Sequence, residues 1–107
     1  MKGTHLGEFE EMVLLIVGIL DGKAYGISIL KEIEEQTGRT VTVSTIHTAL
    51  YRLEEKGFVD SFVGGASNAR GGRSKRLYKI TSAGRTALET ARNLREKLWK
   101  LMLGLNS

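Results

Sequence analysis

Cysteine is missing from this 107-residue chain, which rules out disulfides and removes thiols as nucleophiles or metal ligands. Histidine is scarce: His5 and His47 are the only two. No two carboxylates stand in a recognisable acid/base arrangement. Glu34-Glu35 and Glu54-Glu55 are adjacent on helical stretches, where consecutive side chains diverge by about 100°, and they read as solvated faces. These gaps argue against catalysis and leave no catalytic residue, metal site or cofactor to expect. Long apolar runs are missing as well. Met12–Leu20 is about nine residues, far short of the roughly 20 that span a bilayer. It follows Glu8, Glu10 and Glu11, the wrong flank for a signal peptide, so a cytoplasmic chain with no membrane partner is expected.

The most informative shortage is local. Residues 1–60 hold six Lys/Arg against ten Asp/Glu, whereas residues 61–85 hold six Lys/Arg and no acid at all. The formal charge of the whole chain, +4, hides that segregation. Uncompensated positive charge gathered in one segment is the footprint of a surface that binds phosphates.

What is present is a succession of helical and strand patterns. Over Glu8–Leu20, Phe9, Met12, Val13, Ile16, Val17 and Leu20 recur at helical spacing, and Leu14, Leu15 and Ile19 carry apolar surface most of the way round. A chain this short buries only part of its surface, so part of that helix, with Leu15 and Ile19, is expected to meet another subunit. Asp21-Gly22 ends it. A second helix, Tyr25–Thr37, has Ile29, Leu30 and Ile33 on its inner face and stops at Gly38. The third opens on a capping Thr42 and closes at Gly57, with Ile46, Ala49, Leu50 and Leu53 at i, i+3, i+4 and i+7. Two strand-like runs follow, Phe58–Val63 and Leu77–Ile80, in which Phe58, Phe62, Leu77, Tyr78 and Ile80 are placed to cover the core. The Gly-rich loop between them lacks the spacing of a nucleotide-binding loop and carries Arg70, Arg73, Lys75 and Arg76. Thr81 caps a last helix running to about Leu103. Along it Ala87, Ala91, Leu94, Leu98, Leu101 and Leu105 alternate spacings of four and three, a heptad seam widened by Leu88, Trp99 and Met102.

The order α-α-α-β-β-α is that of a mainly α, α+β fold: a winged helix-turn-helix over residues 1–81, followed by a dimerisation helix over 82–107. In such a motif the third helix enters the major groove with its N-terminal residues nearest the bases. Its outward positions are Ser44, Thr45, His47, Thr48, Tyr51, Arg52 and Glu55, and the hydroxyls, imidazole and guanidinium among them can hydrogen-bond base edges or phosphates. Arg70, Arg73, Lys75 and Arg76 suit the phosphate backbone or the minor groove. Double-stranded DNA is the expected partner, together with a second copy of the chain paired through Leu94, Leu98, Leu101 and Met102. A winged-helix module that binds protein and no longer reads DNA is the competing reading. The acidic first 60 residues leave room for it, and the uncompensated charge of the wing counts against it.

The chain resembles the PadR family of winged-helix regulators, in the short form with a single C-terminal helix. Tyr25-Gly26 opens the second helix as in that family, and Leu50-x-Arg52-Leu53-Glu54-x-Lys56-Gly57-Phe58-Val59 runs through the recognition helix. Gly71-Gly72-Arg73-x-Lys75-Arg76-x-Tyr78-x-Ile80-Thr81 forms the wing, and Ala83-Gly84-Arg85 starts the last helix. The resemblance implies a homodimeric repressor on an inverted-repeat operator. In some members a small planar or hydrophobic effector binds at the dimer interface and stacks on a Trp of the last helix, a role the resemblance would carry to Trp99. The alternative for Trp99 is plain packing with Leu98, Leu101 and Met102. One departure stands out: the family usually has Tyr where this chain has His47, a position associated with contact to the DNA backbone.

Overall fold

Three helices form where the apolar spacing places them: α1 over Glu8–Leu20, α2 over Gly26–Thr37 and α3 over Val43–Glu55. The computed structural model describes residues 5–64 and 75–105. Asp21 and Gly22, both with positive φ (42° and 87°), turn the chain out of α1. Tyr25 is the extended residue before α2 and not its first turn; its N–H donates to Ser28 Oγ at 2.9 Å. Thr42 caps α3, its Oγ1 accepting from the Thr45 N–H at 3.2 Å, a bond worth about 1 kcal/mol to a helix start.

Leu14, Ile29, Ile33, Ile46, Leu50 and Leu53, drawn from all three helices, are fully buried against one another. A two-stranded antiparallel sheet closes the core. Strand β1 (Val59–Gly64) pairs with β2 (Lys75–Ile80) in a register running from Val59↔Ile80 to Gly64↔Lys75. Ala24 bridges to Tyr78 on the free edge of β2, where the Tyr78 N–H donates to the Ala24 carbonyl at 2.9 Å. Side chains alternate along a strand, so this register puts Val59, Tyr78 and Ile80 on the inner face. Phe62 and its partner Leu77 fall on the other face, and Phe62 is exposed. The expectation that both would cover the core is therefore not met. Burial raises the pKa of the Tyr78 phenol, with Glu54 adding to the effect and Arg76 opposing it.

Helix α4 (Ser82–Met102) is fastened at its start and projects beyond it. Thr81 Oγ1 accepts from the Gly84 N–H at 3.0 Å and donates to the Gly57 carbonyl at 2.7 Å. Gly84 sits against the Phe58 carbonyl and 3.0 Å (from where a β-carbon would stand) from Ile80 Cγ1, and it is the one buried residue of the helix. The projection gives a radius of gyration of 16.0 Å, against about 13 Å for a compact chain of this length. None of the described helices is long and apolar enough to cross a membrane.

Candidate nucleic-acid interface

Helix α3 buries Ile46, Ala49, Leu50 and Leu53 and turns Ser44, Thr45, His47, Thr48, Tyr51 and Arg52 outward, all of them exposed. Its first turn has no acid and carries a knot of hydroxyls. Thr42 Oγ1 lies 2.8 Å from Thr45 Oγ1 and 3.2 Å from Ser44 Oγ. Thr48 Oγ1 donates to the Ser44 carbonyl at 3.0 Å, so its hydrogen is engaged by the helix and its lone pairs face outward. The positive end of the helix dipole favours an anionic partner, and the hydroxyls around it can exchange hydrogen bonds with base edges.

Two neighbouring elements join this surface. The ring of His47 covers Gly26, the first residue of α2, where an added β-carbon would stand 2.9 Å from Nε2. At the base of the wing, Lys75 Nζ lies 4.2 Å from the centre of the Tyr25 ring. The sequence pattern marks Tyr25-Gly26 only as the opening of α2, and their place on this surface comes from the packing of His47 and Lys75 against them. The available signal was a glycine, a poor helix former, directly after an aromatic residue at a helix start.

The cations differ in how free they are. Arg76 Nη1 donates to Ser61 Oγ at 2.8 Å, and Ser61 donates to Glu54 Oε2 at 2.7 Å, which tethers that guanidinium to the end of α3. Arg52 Nη1 lies 3.9 Å from Glu10, a loose pair that leaves its other donors to solvent. Arg70 and Arg73 lie outside the described residues.

A second surface runs along α4. Leu94, Leu98, Leu101 and Met102 are more than half exposed, and Leu15 and Ile19 on α1 are exposed too. A groove of about 540 Å³ follows α4, lined by Leu6, Phe58, Ala87, Ala91, Leu94 and Leu98. The exposed apolar side chains of α4 and α1 lie outside the core of the three helices and the sheet. Trp99, 62% exposed, lies about 100° round the helix from Leu98. Arg92, Arg95, Glu96 and Lys100 frame a shallow cavity of about 440 Å³ beside it. Among the described residues no His/Asp/Glu cluster could hold a metal ion.

A three-helix core, an exposed polar third helix and a two-stranded wing with cations at its base define a winged helix-turn-helix DNA-binding protein. The profile of the transcriptional regulator PadR-like family matches residues 13–90. Transcriptional regulator Rv3488 of Mycobacterium tuberculosis is 32% identical over 84 residues, covering 78% of this chain and 74% of that one. The chain belongs to the PadR-like family of transcriptional regulators, which bind DNA and are not enzymes. A PadR family regulator from Clostridium difficile R20291 superposes with a TM-score of 0.73 at 26% identity, over 92% of this chain and 97% of that one. Bacillus subtilis PadR, solved in complex with operator DNA, shares the fold at a TM-score of 0.64 and 19% identity. That match covers 77% of this chain and 45% of the Bacillus protein.

Proposed function

We propose that the chain is a homodimeric transcriptional repressor that binds an inverted-repeat operator, with α3 in the major groove and the wing on the backbone or minor groove. One observation carries the reading: the acid-free start of α3 presents Ser44, Thr45, His47 and Thr48 to solvent, with Lys75 beside the neighbouring start of α2. The operator complex of the Bacillus relative supports it. Residues 1–81 read DNA and residues 82–107 pair two copies through Leu94, Leu98, Leu101 and Met102, with Leu15 and Ile19 alongside. A two-fold dimer reads two half-sites at a fixed separation, which is why the target is an inverted repeat. Trp99 is exposed beside Arg92, Arg95, Glu96 and Lys100, and it is the residue on which a small planar or hydrophobic effector would stack.

The test separates positioning from reading. Arg73→Ala with Arg76→Ala should weaken binding to every duplex and lower the salt slope by up to about one for each phosphate no longer neutralised. Thr45→Ala and Thr48→Ala should instead change which sequences bind. A folded dimer without affinity for any duplex at low salt would overturn the proposal and favour a protein-binding module. Quenching of Trp99 fluorescence by a planar aromatic compound, with release of DNA at the same concentration, is the result expected for the effector.

A further inference from the structure

The first turn of α1 carries three carboxylates, and each is taken up by a different element. Glu8 Oε2 lies 3.1 Å from Arg39 Nη1 in the connection between α2 and α3. Glu10 Oε1 lies 2.6 Å from Lys56 Nζ at the C-terminal end of α3, and its other oxygen is 3.9 Å from Arg52 Nη1, one turn earlier. Glu11 Oε1 lies 3.2 Å from Arg95 Nη2 on α4. Lys56 also donates to the carbonyl of His5 at 2.5 Å, which ties the chain just before α1 to the same point.

These pairs are not equivalent. Glu8 and Arg39 are both well exposed, so their pair constrains little. The Glu10 side chain is only 12% exposed, and every buried polar side-chain atom among the described residues finds a partner. Glu10 stands at the positive end of α1 and Lys56 at the negative end of α3, so each charge also complements its own helix dipole. Glu11 is largely covered while Arg95 is mostly in solvent, so that pair adds little to the stability of the fold, yet it links α1 to α4. Arg95 is also well along α4, beyond the one residue of that helix, Gly84, that is buried.

We propose that Glu10 and Glu11, consecutive residues held by α3 and α4 respectively, are positioning residues that set the angle between the recognition helix and the dimerisation helix. They thereby set the separation of the two half-sites that a dimer accepts. The proposal rests on the dimeric DNA-binding reading above. The leverage is considerable, because the 21 residues of α4 span about 30 Å. A change of about 6° at its base moves the far end by about 3 Å, close to the roughly 3.4 Å rise of one base pair.

The experiment uses the full chain and duplexes carrying its selected site at the native spacing and with one base pair added or removed between half-sites. The wild type should lose about tenfold or more in affinity on changing the spacing. Glu11→Gln and Arg95→Gln should shrink that loss to about threefold, and the double variant should go no further than either single one, because both remove the same ion pair. Unfolding midpoints should stay within a few degrees of wild type, which a purely structural role would not combine with altered spacing preference. Glu10→Gln should flatten the preference in the same way. If that variant fails to fold, the Glu11 and Arg95 variants still decide the matter. Folded, dimeric Glu11→Gln and Arg95→Gln variants that keep the wild-type spacing penalty would overturn the proposal. A wild-type chain that binds no duplex, or binds as a monomer, would overturn the DNA-binding reading first and this inference with it.

Discussion

The imidazole of His47, on α3, lies against the bare backbone of Gly26 at the start of α2, at a distance that leaves no room for a β-carbon unless the ring moves. The close approach explains why a residue with poor helix propensity opens α2. Gly26→Ala should gain about 0.5–1 kcal/mol from helix propensity and reduced freedom of the unfolded chain. It should also push the exposed His47 ring off the α2 start. The cost of moving that ring offsets the gain, so thermal unfolding should change little, while anisotropy titrations should show weaker DNA binding.

Gly84 makes a different kind of close approach, because its neighbour is the Phe58 backbone carbonyl and not a movable ring. In Gly84→Ala either the start of α4 or the end of the α3–β1 turn must shift. A loss of about 2–3 kcal/mol is expected in denaturant unfolding, with the Thr81 cap disturbed at the same time.

Leu94 and Leu98 are more than half exposed in the single chain, while the core of the winged-helix body is built without them. Replacing both by glutamate should give monomers by sedimentation and leave far-UV helicity largely intact. A double variant that sediments as a dimer would place the pairing face elsewhere.

The helices were legible because each has one apolar stripe at a single period: Ile46, Ala49, Leu50 and Leu53 leave no doubt about which side of α3 is buried. The inner face of the sheet was not legible. Val59 and Val63 share one parity and Phe62 the other, so the apolar pattern fits either face until pairing with β2 sets the register. The ion pairs of α1 were also hidden. Composition shows Glu8, Glu10 and Glu11 only as an acidic run, whereas their partners are 31, 46 and 84 residues away in sequence. For the same reason Arg76 reads as a free phosphate ligand, when it is hydrogen-bonded across the hairpin to Ser61.

Tyr78 makes stability depend on alkaline pH. Burial favours the neutral phenol and raises its pKa above the ordinary 10.0. The folded state therefore keeps its proton at a pH where the unfolded chain has lost it. The stabilisation is fully present below pH 10.0 and is lost as pH rises through the higher folded value. Tyr78→Phe should remove that loss, so the unfolding free energy of the variant relative to that of the wild type should rise above about pH 10.

The most direct test is selection of bound duplexes from a random pool, followed by measurement of stoichiometry and salt dependence on the selected site. A dimeric winged-helix repressor should select an inverted repeat, bind two chains per site and lose affinity linearly in log salt. Binding of one chain per duplex without sequence preference, or no binding by a folded dimer at low salt, would contradict it.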